Sequence, residues 1–308
     1  MLLLYVAAPA VSSLHSGAGV TMVHKYQRYA GEEGLGVGFG SLWVSGADNG
    51  DSVARMSLAS LKSVSIPAAS DEDTEIGVGP DAVWMSDFGD GVVRRIDPAT
   101  NRVTVSVNNL PGASWFAFSG GDVWVALHHG QAVVELDGKT GRLIERLPVP
   151  SPGGGVVANG PSYVALGFGS VWTQVPNIMA VVRFDPATRK VVAVIHDGAN
   201  CCGHVAVAGG SIWVSSGGSV DRINPKTNTV TARIHVGSAD DLNSGIAVLD
   251  GKLWAAPGNT VVEIDPVTAH VISRTAFSKA YFKDIEVGGG ALWAWDANTN
   301  YIDQLRVR

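Results

Sequence analysis

Residues 204–236 read HVAVAGGSIWVSSGGSVDRINPKTNTVTARIHV, a pattern of four short runs separated by three turns. The runs are rich in β-branched residues, and the later ones alternate polar with apolar positions. Gly209-Gly210, Gly217-Gly218 and Asn224-Pro225 are typical turn formers. This pattern predicts four antiparallel strands joined by hairpins, which we call strands A to D of one repeat.

The same phrase recurs around seven tryptophans, and the intervals between neighbouring ones range from 39 to 48 residues. They are Trp43, Trp84, Trp124, Trp172, Trp213, Trp254 and Trp293. A four-stranded repeat of this length in seven copies is typical of propeller blades. The sequence therefore predicts an all-β fold, a seven-bladed β-propeller with four-stranded antiparallel blades.

The turn between strands C and D is the most regular part of the repeat. It reads Asp97-Pro98-Ala99-Thr100-Asn101 in the second repeat and Asp265-Pro266-Val267-Thr268-Ala269 in the sixth. An Asp can accept hydrogen bonds from the turn backbone, and Pro presets φ for the next position. The phrase therefore predicts a tight turn that ends strand C.

The two ends of the chain complement each other. After Trp293 the sequence holds one more strand, residues 301–307, so blade 7 lacks its outer strand. Residues 20–28 alternate like a D strand and precede strand A of blade 1. We predict that this N-terminal strand completes blade 7 and closes the ring, because closure removes exposed sheet edges.

Residues 1–19 lie outside the repeat. An apolar run, Leu2-Leu3-Leu4-Tyr5-Val6-Ala7-Ala8, precedes small residues, as in the second half of a secretory signal, although a basic start is missing. The segment is predicted to be a remnant signal peptide or a flexible tail. Residues 20–308 are predicted to form a single propeller domain, periplasmic or secreted.

Composition narrows the classes of partner. The chain is 46% hydrophobic and 16% charged, which excludes a disordered protein. The net charge of −6 and the lack of a basic run argue against nucleic acid as a partner. No apolar stretch is long enough to span a membrane as a helix. We expect a monomer.

The phrase from Gly77-Val78-Gly79 through Trp84-Met85-Ser86 to the C–D turn at Asp97, with its copies after residue 30, resembles a known family. It is similar to bacterial seven-bladed propellers of the YVTN-repeat and virginiamycin B lyase-like (streptogramin lyase-like) group. That resemblance implies a propeller fold and an exported protein. For the lyases it also implies a catalytic His, a divalent metal held by acidic and His side chains, and an acidic residue three positions after the blade Trp. Asp87 and Asp296 occupy that last position here.

One column of the repeat carries unusual chemistry. The residues nine positions before each Trp, near the start of strand A, are Gly34, Glu75, Trp115, Tyr163, His204, Gly245 and Asp284. Because A strands line the axis of a propeller, these residues are expected to meet at one axial mouth. Aromatic rings with a few convergent polar groups are typical of ligand sites.

We therefore predict that Glu75, Trp115, Tyr163, His204 and Asp284 bind a small ligand or a protein partner at the axial mouth. The alternative for the polar residues of the neighbouring B–C turns is that they are ordinary turn formers around a solvated opening.

The second hypothesis for function is a metal-dependent lyase or hydrolase. His204 would then be the general base, and Glu75, His204 and Asp284 would hold Mg²⁺ or Ca²⁺. His128-His129 is a further candidate for metal binding. Adjacent residues of a strand point to opposite faces, so a surface loop is the competing interpretation of that pair.

Cys201 and Cys202 are the two cysteines of the chain, and they lead into strand A of blade 5. Consecutive Cα atoms lie closer together than a relaxed disulfide prefers, so a bridge between them would be strained. Three interpretations remain open: a vicinal disulfide in an oxidising compartment, two thiols of which one joins His204 on a soft metal, or two inert buried thiols.

Overall fold

The structure, a computed structural model, describes residues 19–27, 34–47, 52–68, 74–150, 160–198, 203–238 and 245–308. The predicted signal or tail at 1–18 and the pair Cys201-Cys202 lie outside the described residues. The described chain is built from antiparallel β-strands, with one turn of 3-10 helix at Pro176–Ile178. No helix among the described residues is long and apolar enough to cross a membrane.

The strands form seven sheets of four strands, and each sheet corresponds to one predicted blade. By contacts the chain divides into two compact units, Tyr29–Val205 and Met1–Arg28 with Ala206–Arg308. We call the first the four-blade unit and the second the three-blade unit. The prediction that residues 20–308 form a single domain stays a prediction.

The four-blade unit contains blades 1 to 4, each in the order A to D. Blade 1 is β2 Leu35–Gly38, β3 Ser41–Ala47, β4 Ser52–Ser57 and β5 Ser63–Pro67. Blade 2 is β6 Thr74–Val78, β7 Val83–Asp87, β8 Val92–Asp97 and β9 Arg102–Val107. Blade 3 is β10 Ala113–Ser119, β11 Asp122–Leu127, β12 Ala132–Asp137 and β13 Leu143–Pro148. Blade 4 is β14 Val164–Gly167, β15 Ser170–Val175, β16 Ala180–Asp185 and β17 Lys190–His196.

The three-blade unit contains most of blade 5 and all of blades 6 and 7. Blade 5 is β18 Val205–Ala208, β19 Ser211–Ser216, β20 Ser219–Asn224 and β21 Thr229–His235. Blade 6 is β22 Gly245–Leu249, β23 Lys252–Ala256, β24 Thr260–Asp265 and β25 His270–Ala276. Blade 7 is β26 Phe282–Gly288, β27 Ala291–Asp296, β28 Tyr301–Val307 and the N-terminal strand β1 Val20–Gln27.

The blade tryptophans are buried in strand B, and their spacing from strand A has a physical reason. The indole N–H of Trp213 donates to the carbonyl of Ala208, five residues earlier, at 3.1 Å. Trp43, Trp172, Trp254 and Trp293 make the same bond to the residue five positions before them. A buried indole needs a partner for its N–H, and the A–B hairpin supplies that partner locally.

The C–D turns form as their sequence predicts. In blade 2 the carboxylate of Asp97 accepts a hydrogen bond from the Ala99 N–H and another from the Thr100 hydroxyl, each 2.8 Å long. Asn101 closes the turn with φ of 56°, in the left-handed region. These hydrogen bonds, led by that from the Ala99 N–H, hold the pKa of Asp97 below its usual range. Asp97 is therefore a turn former.

The prediction that an N-terminal strand completes blade 7 is confirmed. β1 pairs with β28 in an antiparallel register that places Val20 opposite Val307 and Lys25 opposite Asp303. The Lys25 Nζ lies 3.0 Å from a carboxylate oxygen of Asp303, whose side chain is fully buried. The seven-bladed β-propeller with four-stranded antiparallel blades is confirmed with it.

Candidate functional site

Three residues of the predicted binding column are in mutual ring contact within the four-blade unit. The ring centroids of Tyr163 and His204 are 3.9 Å apart, and the two planes are inclined by 30° in a stacked arrangement. Trp115 lies 4.3 Å from Tyr163 and 5.1 Å from His204 by the same measure. We call these three side chains the aromatic cluster.

The backbone around the starts of the A strands holds this cluster in place. Trp115 sits within a register irregularity of β10, between Ala113 and Phe116, while Tyr163 and His204 come directly before β14 and β18. The hydroxyl of Ser114, next to Trp115, donates to the carbonyl of Ser162, next to Tyr163, at 2.9 Å. This bond joins blades 3 and 4 beside the aromatic rings.

The three rings differ in exposure and charge. His204 is buried, with 4% of its surface exposed, whereas Trp115 and Tyr163 are half-buried. Burial lowers the pKa of His204 to about 3, because the charged imidazolium would lose its hydration. The imidazole is therefore uncharged at neutral pH, and the cluster contributes no positive charge.

Glu75 belongs to the neighbouring strand β6 of the same unit. It is half-buried and pairs across its hairpin with Ser86, whose side-chain oxygen accepts a hydrogen bond from the Glu75 N–H at 3.3 Å. Two residues further along β6, a Cβ added to Gly77 would lie 2.7 Å from the ring of Phe116 on β10. β6 therefore packs closely against β10, and Glu75 and Trp115 lie toward the same end of these two strands.

Asp284 is in the three-blade unit, on β26, together with a second carboxylate that the sequence analysis missed. Glu286 lies two residues further along and therefore on the same face of the strand. Burial raises the pKa of Asp284 to about 7, and burial together with the charge of Asp284 raises that of Glu286. The spacing of two acidic residues within strand A was the available signal.

The glycines of the same column allow close approach between strands. A Cβ added to Gly245 would lie 2.5 Å from the Oδ1 atom of Asp284. A Cβ added to Gly34 would lie 2.6 Å from the carbonyl oxygen of Thr74. Each glycine therefore leaves room for the A strand of the next blade, where Glu75 and Asp284 are found.

Asp87 and Asp296, each at the end of a strand B, act as turn formers. The carboxylate of Asp87 accepts a hydrogen bond from the Asp90 N–H at 3.0 Å and pairs with Arg94 at 3.2 Å. Asp296 accepts a hydrogen bond from the Asn298 N–H at 3.1 Å and one from the Thr299 hydroxyl at 2.6 Å. These contacts explain the acidic residues three positions after two of the blade tryptophans.

His128 and His129 lie beside an aromatic side chain of the preceding blade. Their ring centroids are 5.6 Å apart, and the ring of Phe88 lies 5.6 Å from the first and 4.7 Å from the second. Within the described ranges, no group of three or more His, Cys, Asp or Glu side chains is arranged to hold a metal ion. Glu75 and His204 lie in the four-blade unit and Asp284 in the three-blade unit, and the metal hypothesis for these three residues stays a prediction.

No protein-family model and no curated protein sequence matches the chain. Solved structures match over nearly all of it, and the class they share is the bladed β-propeller.

Virginiamycin B lyase from Staphylococcus aureus matches with a TM-score of 0.76 and 14% identity, over 94% of this chain and 100% of that chain. BamB from Moraxella catarrhalis matches with a TM-score of 0.61 and 14% identity, over 93% of this chain and 97% of that chain. The extracellular domain of a hybrid two-component system from B. thetaiotaomicron matches with a TM-score of 0.69 and 18% identity, over 92% of this chain and 40% of that chain.

These similarities confirm the resemblance to virginiamycin B lyase-like propellers at the level of the fold. Sequence identity is low in every case, and one propeller fold supports many functions. The function of this chain therefore has to be argued from its own residues.

Proposed function

We propose that this protein is an extracytoplasmic binding scaffold that holds a small ligand or a segment of a protein partner against the aromatic cluster. The observation behind the proposal is the contact between Trp115, Tyr163 and His204, which come from three successive blades. Half-buried aromatic rings beside a carboxylate-bearing strand are the chemistry of a recognition site. The extracytoplasmic location is supported by the fold likeness to an extracellular domain.

Interaction is favoured over catalysis by the state of His204. A general base works best when its pKa lies near the operating pH, and burial places the pKa of this imidazole at about 3. An uncharged ring stacked on Tyr163 suits a supporting role in a binding surface. Asp284 lies in the three-blade unit, and its predicted role in ligand binding stays a prediction that this proposal does not require.

The test is a thermal-shift screen of small molecules with the native chain, followed by calorimetry on each hit. Replacing both rings, Trp115→Ala with Tyr163→Ala, should abolish binding of ligands that use the cluster. Phe168→Ala is the matched control, because Phe168 is an exposed ring at the far end of β14 from Tyr163. Hits whose affinity is the same in the double variant and in the native chain would contradict the proposal.

The enzymatic alternative, a metal-dependent lyase or hydrolase, is distinguished by a second measurement. Thermal melts with Mg²⁺, with Ca²⁺ and with EDTA report any ion that binds the folded chain, because such an ion must stabilise it. A clear rise in melting temperature with one metal, lost in His204→Gln, would favour the enzyme over the scaffold.

A further inference from the structure

The A strands of the four-blade unit carry a negatively charged side chain and no positively charged one. Strands β2, β6, β10 and β14 read LGVG, TEIGV, ASWFAFS and VALG. These four strands contain no Lys or Arg, and Glu75 is their single ionisable residue. An anionic ligand would find no counter-charge on them, whereas a cation would find a carboxylate.

The aromatic cluster favours the same sign of charge. The faces of Trp and Tyr rings carry negative electrostatic potential and attract cations at short range. Trp115 and Tyr163 both keep part of their surface accessible, and their planes are inclined by 51° rather than stacked flat. Two inclined aromatic surfaces can contact one rounded ammonium group.

His204 adds a ring to this surface without adding charge. A protonated imidazole in contact with Tyr163 would repel a bound cation. Burial keeps the imidazole of His204 neutral across the physiological pH range. The third ring thus extends the apolar support of the other two.

The remaining side chains of these strands disfavour a strongly hydrogen-bonding ligand. Apart from Thr74, Ser114 and Ser119, the residues besides Glu75 and the aromatic side chains are Gly, Ala, Val, Leu and Ile. The Ser114 hydroxyl already donates a hydrogen bond to the backbone carbonyl of Ser162. Besides the polar atoms of the aromatic cluster, these strands therefore offer a ligand mainly apolar contact and the charge of Glu75.

We infer that the ligand of this site is a small organic cation, a substituted ammonium group held against Trp115 and Tyr163 with Glu75 as its counter-charge. This inference rests on the proposed function and specifies the chemical class of its ligand. The net charge of −6 of the whole chain also favours the approach of a cation.

The test compares choline with 3,3-dimethylbutan-1-ol, its uncharged isostere, by calorimetry on the full chain. Choline should bind about tenfold more tightly, as expected for a cation–π contact assisted by a carboxylate. Glu75→Gln and Trp115→Leu should each remove most of that preference. Asp81→Asn, which removes an exposed carboxylate on the A–B turn of blade 2, and Phe168→Leu should leave it intact. Thermal melts of every variant verify that it is folded.

Three outcomes would overturn the inference: no choline binding at millimolar concentration, equal binding of choline and its isostere, or a choline preference unaffected by Glu75→Gln and Trp115→Leu. The proposed function fails separately. If one of these choline outcomes is found while a neutral ligand from the screen loses its affinity when Trp115 and Tyr163 are replaced, the scaffold stands and the cation is wrong. If no ligand depends on these two rings, both are wrong.

Discussion

The ring of Tyr163 stacks on the imidazole of His204, with centroids 3.9 Å apart, although the two residues belong to different repeats. The stack covers one side of an imidazole that is almost fully buried. It thereby joins the half-buried ring of Tyr163 to a histidine that stays uncharged.

His204 should make the protein less stable in mild acid. Its pKa of about 3 lies below the value of 6.5 for an unperturbed His, so the unfolded chain takes up the proton first. The stability that His204 contributes is complete above about pH 6.5 and declines as the pH falls toward its folded pKa. Between about pH 7.5 and pH 5 the loss should be about 2 kcal/mol in the free energy of unfolding.

Urea denaturation at these two pH values measures the effect. His204→Phe, which keeps a ring and removes the titration, should be less sensitive to pH than the native chain by that amount. His270→Phe changes an exposed histidine of β25 and is the control. Equal sensitivity in the native chain and in His204→Phe would refute the prediction.

Asp303 should make the protein less stable as the pH rises, which is the opposite of the effect of His204. Burial raises its pKa to about 6, while the charge of Lys25 partly opposes the shift. The folded state therefore binds a proton more readily than the unfolded state between about pH 4 and pH 6, and the stability from Asp303 is lost as pH rises through that range. Asp303→Asn should flatten the stability profile from pH 4 to pH 7 by about 2 kcal/mol.

The control for this change is Asp250→Asn, at an exposed A–B turn of blade 6. Guanidinium denaturation across the pH series gives the profile for each chain. The assignment to Asp303 would be wrong if Asp303→Asn and the native chain showed parallel profiles.

Removal of the N-terminal strand should be severely destabilising. Deleting residues 1–28 takes away β1, exposes the edge of β28 and leaves the buried carboxylate of Asp303 without Lys25. A bare edge strand is a template for aggregation, and an unpaired buried charge is costly. We expect aggregation or a large drop in melting temperature, measured by calorimetry and light scattering.

Deleting residues 1–18 is the matched control, because it leaves all of β1 in place. That truncation should melt close to the full chain. Closure of blade 7 by β1 would be unimportant for stability if the two truncations melted at the same temperature.

The cysteine pair precedes Gly203, whose N–H donates to the side-chain oxygen of Gln174 at 3.4 Å, and then His204. We expect Cys201 and Cys202 to form a vicinal disulfide in exported protein. Alkylation without reductant, read by mass spectrometry, should modify neither cysteine, and alkylation after reduction should modify both.

Ligand binding should change on reduction of the disulfide more than the melting temperature does, since the blades are held by their own hydrogen bonds. Two thiols that alkylate freely in exported protein would exclude the bridge.

The blades themselves could be predicted because their determinants are local in sequence. The six residues from Ala208 to Trp213 span one hairpin, and the hydrogen bond between Trp213 and Ala208 forms within it. The turn bonds of Asp97 likewise lie within four residues. Periodic apolar positions and turn formers therefore determined the strands, their number and the completion of blade 7 by β1.

The candidate site could be predicted only in part from the sequence. The repeat column selected Trp115, Tyr163 and His204 as candidates, yet their ring contacts join residues 41, 48 and 89 positions apart and depend on how the blades pack. Burial, which only the tertiary structure decides, made His204 neutral and raised the pKa values of Asp284 and Asp303. Local patterns thus determined the secondary structure, whereas desolvation and contacts between blades decided which side chains meet and which of them carry charge.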